Sequence, residues 1–292
     1  MIPPLADTPL PLGKRVHLHR LLFEAGPGNG KLLVLPIDQG FEHGPRDFFD
    51  NPESVDPAYQ ARLAVAGNFS AIAWHMGLAA KYGHLVAGRV PMLIKLNGKT
   101  EIPPDDQALS PLLTSVEEAV AVGADAVGYT LYVGSPAQDR DLAELGRVRR
   151  AADRFGLPLV VWSYPRGSAV EAKGGRDSVY AVAYAARVAC EMGADVVKLN
   201  YPGLGAGAGV PRPYGDKTWT HETAMAHIVA SAGRTPILLS GGTRKGDEGL
   251  LEMARVALAA GVTGFIFGRN VWQRPWDQGL ALVAQLTAML TA

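Results

Sequence analysis

The 292-residue chain carries 28 Lys and Arg against 28 Asp and Glu, so its formal net charge is zero and it offers no electrostatic footprint for nucleic acid. A 48% hydrophobic share sustains a large core, and a 19% charged share excludes a disordered chain. One cysteine, Cys190, excludes an internal disulfide and a cysteine-based zinc site. No stretch reaches the roughly 18 apolar residues of a membrane span, and residues 1–15 lack a charged-then-apolar signal pattern, so a cytoplasmic enzyme is expected.

Along the chain, short β-branched runs recur at Lys31–Ile37, Ala71–His75, Met92–Leu96, Ala126–Tyr132, Leu159–Tyr164, Asp195–Asn200, Ile237–Ser240 and Gly264–Phe267. Ala- and Leu-rich helical stretches separate most of them, clearest at Leu142–Phe155, Val179–Met192 and Gly249–Ala260. Four junctions share one pattern, with Gly67, Gly123, Gly193 and Gly261 each closing a helix two to four residues before a strand. Alternation with such short turns implies parallel strands, and eight of them imply a single (β/α)8 TIM barrel over residues 1–292. Residues 1–30 precede the barrel and are expected to flank its closed end. An open dinucleotide-binding sheet would place its phosphate glycines after the first strand, whereas here they follow the seventh and eighth. The glycines at 203, 205, 207 and 209 lead into Val-Pro-Arg-Pro, not a helix, and read as a long active-site loop.

In such a barrel the chemistry sits at the C-terminal strand ends. The first strand ends at Asp38, an acid directly after a buried run that needs a partner. Asp38, Glu42 and His43 could suggest a metal site, but neither HxH nor HExxH spacing occurs and no metal is expected. The third strand carries Lys95, which either lowers the pKa of a second inward lysine or pairs with Asp38. The fifth strand places Trp162 and Tyr164 on one face, an indole wall and a phenol able to move protons, followed by Arg166 as a phosphate clamp. The sixth carries Lys198 on the face of Val196 and Asn200. A desolvated lysine there is a neutral, nucleophilic amine. The seventh ends Ser240-Gly241-Gly242-Thr243 and the eighth Gly268-Arg269-Asn270, glycines and a countercharge at the two strands whose loops hold phosphate in many barrels.

The stretches LPIDQGFEHGP (35–45), LIKLNGKT (93–100), AVGYTLYVGS (126–135), VVWSYPRG (160–167), GADVVKLN (193–200), LLSGG (238–242) and FIFGRN (265–270) resemble the archaeal-type class I fructose-bisphosphate aldolases, a family with bacterial members. They span nearly the whole barrel in order. The resemblance implies Lys198 as the Schiff-base lysine, Tyr164 as the acid/base with Trp162 beside it, and Asp38 as the strand-one aspartate. It implies phosphate loops at Ser240, Gly241, Gly242, Gly268 and Arg269. It further implies a sugar-phosphate substrate, no cofactor and a ring-forming homo-oligomer, often a decamer. The segment Lys198–Gly203 and the glycine-rich loop after it depart from the family pattern at the aldehyde end. The fold family also contains a transaldolase-like 2-amino-3,7-dideoxy-heptulosonate synthase and a thiolase-like acyltransferase. The lysine and phosphate loops do not separate these from the aldolase. A non-catalytic sugar-phosphate-binding barrel is the reading from another class.

Overall fold

The computed structural model describes residues 9–205, 209–242 and 246–292. Eight strands run Leu32–Pro36 (β1), Ala71–His75 (β2), Met92–Lys95 (β3), Ala126–Val133 (β4), Leu159–Pro165 (β5), Val196–Leu199 (β6), Ile237–Ser240 (β7) and Gly264–Ile266 (β8). All pair in parallel and in chain order, and β1 pairs with both β2 and β8, which closes the barrel. The chain is therefore the (β/α)8 barrel its alternation implies. Helical boundaries differ from expectation by a turn or less. The helix expected from Leu142 begins at Gln138, where Asp139 and Asp141 in the first turn complement the helix dipole.

Successive residues in each strand alternate between two cores, as the pleat requires. Val34, Ala73, Leu93, Trp162, Val196 and Leu238 fill the barrel interior. Leu33, Leu35, Val197, Leu199, Leu239 and Phe265 instead pack beneath the surrounding helices.

The four glycine junctions have a second shared feature. Each enters an even-numbered strand through a residue whose side chain accepts a hydrogen bond from the start of the preceding odd strand. Ser70 Oγ takes the Leu33 N–H at 3.0 Å and Asp125 Oδ2 takes that of Met92 at 3.1 Å. Asp195 Oδ2 takes the Leu159 N–H at 2.8 Å and Thr263 Oγ1 that of Ile237 at 3.2 Å. A buried backbone N–H left without an acceptor is costly, so these side chains complete the ladder at the closed end of the barrel.

The helix Leu12–His19 and the π turn Arg20–Glu24 cover that end. Leu18, Leu21 and Leu22 join the interior cluster from below. Lys14, 2% exposed, lies 2.6 Å from both Asp153 and Asp195, while Arg20 lies 2.6 Å from Asp125. The two acidic members of the fourfold set are thus each neutralised by a cation from this segment. Gly13 permits the approach, since a Cβ there would lie 2.8 Å from Gly156 Cα.

Candidate active site

At the opposite end, the loops after the strands enclose a cavity of about 580 Å³. Asp38, Tyr164, Arg166, Lys198, Ser240 and Arg269 all line it, with Gly241, Gly242 and Gly268. Lys95 and Trp162, only 1% and 0% exposed, lie behind this lining, Lys95 against Asp38 and Glu42 and the Trp162 ring against Lys198. The register explains the convergence: Trp162 pairs with Lys198, and Lys198 with Leu238, so β5, β6 and β7 present their inward side chains at one level. Gly128, paired with Lys95 across β3 and β4, leaves room for the indole, because a Cβ there would come within 2.7 Å of the Trp162 ring.

Two lysines share that ring. Lys95 Nζ lies 4.8 Å and Lys198 Nζ 5.2 Å from its centroid, yet their charge states differ. Lys95 Nζ contacts Glu42 Oε1 at 2.6 Å and Asp38 Oδ2 at 3.1 Å. Burial pulls its pKa down, but the two carboxylates outweigh burial and hold it above the ordinary lysine range. Asp38 in turn is pushed up by burial and held well below the carboxylate range by Lys95, Lys198 and His75. Lys198 has no such clasp among the described residues. Burial lowers its pKa to about 8, with Asp38 and Glu42 opposing and Lys95 and Arg269 reinforcing the fall. Both readings of Lys95 therefore hold at once: it is the ion-pair partner of Asp38 and a cation that depresses Lys198.

Tyr164 stands over Lys198, whose Nζ is 5.4 Å from its ring centroid. Burial first, then Asp38 and Glu42, raise the phenol above its usual range, so it is a held proton donor. The Arg166 guanidinium covers the same ring at 5.3 Å and is anchored by Asp105 Oδ2 at 3.2 Å. His43 Nδ1 turns to Asp47 Oδ2 at 2.9 Å, away from Asp38, and Asp47 also lies 3.7 Å from Arg269. Among the described residues no three His, Cys, Asp or Glu side chains are grouped to hold a metal ion.

Ser240 ends β7, and Gly268 precedes the short helix Arg269–Trp272. Gly241 lets these two loops meet, since a Cβ on it would lie 2.5 Å from Asn270 Nδ2. Thr243, and Gly207 of the glycine-rich loop, lie outside the described residues.

Residues 32–274 match the DeoC/LacD family aldolase description. The chain belongs to that family. It is 44% identical over 246 residues to the class 1 fructose-bisphosphate aldolase of Thermoproteus tenax, covering 84% of each chain. It is 38% identical to a solved archaeal fructose-1,6-bisphosphate aldolase whose catalytic lysine is covalently bound to the carbinolamine intermediate of its substrate. That likeness covers 94% of this chain and all of the other, with a TM-score of 0.80. A fructose-bisphosphate aldolase from Slackia heliotrinireducens is 30% identical over 99% of this chain and 91% of that one, with a TM-score of 0.86.

Two residues of the candidate site gained their place only from the structure. Glu42 figured in the sequence only as a metal donor, yet it is the shorter contact of Lys95. Its spacing from Asp38 was the available signal, because residues four apart on a helical turn share a face. Tyr132 stands opposite Tyr164 in the β4–β5 register, lines the cavity and accepts from Ser110 Oγ at 3.3 Å.

Proposed function

We propose that the chain is a Schiff-base, class I aldolase that reversibly cleaves fructose 1,6-bisphosphate to dihydroxyacetone phosphate and glyceraldehyde 3-phosphate. The observation that carries this reading is the inequality of the two buried lysines. With a pKa of about 8, roughly a tenth of Lys198 is neutral at pH 7, about 300 times the fraction of an ordinary lysine. Lys95, clasped by Asp38 and Glu42, stays an ammonium and cannot compete as nucleophile.

The neutral amine of Lys198 attacks the C2 carbonyl, and the carbinolamine loses water to give a protonated imine. As the C3–C4 bond breaks, its electron pair moves toward the imine nitrogen and the C4 hydroxyl gives up its proton to become the aldehyde. The resulting enamine takes a proton at C3, and water releases the ketose phosphate from Lys198. The imine is itself the electron sink, so this cycle asks for neither a metal nor an organic cofactor. Tyr164 is assigned the proton transfers at the reacting carbons once the imine exists, relaying the C4 hydroxyl proton to C3. Asp38 assists imine formation, and Trp162 supplies a flat, dry surface beneath both lysine nitrogens. Ser240, Gly241, Gly242 and Gly268 offer backbone N–H groups to one phosphate with Arg269 as countercharge, and Arg166 meets the other.

The chain is read as a cytoplasmic homo-oligomer, with a ring-built decamer as the expected assembly. A monomer by light scattering at micromolar concentration would defeat that part.

The test of the chemistry is borohydride added with dihydroxyacetone phosphate. It should inactivate the enzyme and label Lys198. Lys198→Met should show neither labelling nor cleavage, while Tyr164→Phe should retain labelling and lose roughly a hundred- to ten-thousandfold in turnover. A reduced adduct on Lys95 would refute the assignment of the nucleophile.

A further inference from the structure

The catalytic cycle leaves the hydroxyl of Ser240 without a task, and its surroundings fix which way that hydroxyl can act. Lys198 pairs with Leu238 and Leu199 with Leu239, so Asn200 and Ser240 leave the β6–β7 ladder side by side. Ser240 Oγ lies 2.9 Å from Asn200 Oδ1, and Asn200 Nδ2 lies 3.2 Å from Asp177 Oδ1. Asp177 stands just before the helix Val179–Glu191, and its backbone carbonyl accepts the Gly203 N–H at 2.7 Å. The loops after β5, β6 and β7 are therefore joined through one chain of polar groups.

That chain has only one consistent direction. A carboxylate offers acceptors alone, so Asp177 takes an amide N–H from Asn200 and turns the amide oxygen toward Ser240. An amide oxygen also only accepts, so Ser240 donates its single proton to it. The side that Ser240 Oγ keeps for the cavity consists of lone pairs. Phosphate oxygens are acceptors and gain nothing from such a group, whereas a substrate hydroxyl does.

We propose that Ser240 serves this site as a hydrogen-bond acceptor for the ketose hydroxyl beside the reacting carbonyl. Phosphate is left to the backbone of the two glycine loops and to Arg269. Asn200 and Asp177 are the positioning residues that set this polarity. The inference rests on the cavity being a sugar-phosphate aldolase site and deepens that reading. It assigns a selectivity: dihydroxyacetone phosphate, which carries the hydroxyl, is preferred to hydroxyacetone phosphate, which lacks it.

The experiment compares three probes on the full-length wild type and on Ser240→Ala. Half-saturation of borohydride trapping is measured with dihydroxyacetone phosphate and with hydroxyacetone phosphate, and inorganic phosphate binding is measured by calorimetry. Loss of one neutral hydrogen bond should raise the half-saturation for dihydroxyacetone phosphate roughly two- to tenfold. Hydroxyacetone phosphate and inorganic phosphate should stay within about twofold of wild type. Asn200→Leu frees the serine proton and should tighten inorganic phosphate, a gain that disappears in Asn200→Leu/Ser240→Ala. If Ser240→Ala weakens inorganic phosphate as much as dihydroxyacetone phosphate, the hydroxyl donates to phosphate and the proposal is overturned. Failure of the aldolase reading shows separately, as a wild type that neither cleaves fructose 1,6-bisphosphate nor is trapped. The calorimetric comparison still decides the polarity of Ser240 in that case.

Discussion

Asp38→Asn isolates the electrostatic control of Lys198, because it removes one charge, keeps the shape of the side chain and leaves Lys95 its closer partner Glu42. The two lysine nitrogens lie 4.8 and 5.2 Å from one ring centre, so they are at most about 10 Å apart. Asp38 Oδ2, 3.1 Å from Lys95 Nζ, is then within about 13 Å of Lys198. At an effective dielectric constant near 20, that limit corresponds to at least ~1.3 kcal/mol, or about one pKa unit. The sign follows from charge: the carboxylate favours the ammonium form, so removing it lowers the pKa of Lys198. The wild-type value of about 8 should therefore fall toward about 7. The assay is the initial rate of borohydride trapping with saturating dihydroxyacetone phosphate between pH 5.5 and 9.5, read as the midpoint of the acidic limb. Loss of the contribution of Asp38 to imine formation would lower the plateau without moving that midpoint, so the two effects separate. A midpoint that stays fixed or climbs would refute the assignment of Asp38 as the principal opponent of Lys198 desolvation.

Lys14→Met strips the buried cation from Asp195 and Asp153 and should destabilise the fold by about 3 kcal/mol. This is the lower end for a broken buried pair, since Asp195 keeps the Leu159 N–H, and it would appear as a lower denaturant midpoint with kcat unchanged. Arg269→Ala removes a charge-assisted phosphate contact and should raise KM roughly ten- to a hundredfold; an unchanged KM would relocate the phosphate site. Gly128→Ala drives a methyl against the Trp162 ring and Leu93, costing about 1–3 kcal/mol of stability. It also tilts the indole under both lysines, so kcat should fall more than KM rises; full activity would show that the ring's placement is immaterial.

What the sequence disclosed and what it withheld divide along one physical line. Lys198 was legible because a charge inside an apolar strand run is conspicuous, and the period of two assigns its face without reference to any other strand. The glycine junctions were legible for the same local reason, and they mark the four places where the barrel's closed end is stitched. The cations that neutralise two of those stitches were not, because Lys14 meets Asp195 and Arg20 meets Asp125 across separations that no window of sequence contains.

The same limit governs the site. The sequence leaves Lys95 either lowering the pKa of a second lysine or pairing with Asp38, and its charge state depends also on Glu42, which reaches Lys95 only because Gln39–Glu42 makes a single helical turn after β1. Tyr132 acquires its place from the offset of β4 against β5, a register that side-chain packing across the closed barrel sets and no single strand encodes. Identity of the reacting groups is thus a local property of this chain, while their charge states are collective. On the proposed reading, Lys198 serves as the nucleophile because burial lowers its pKa while a second lysine, on another strand, holds the two carboxylates that would otherwise claim it.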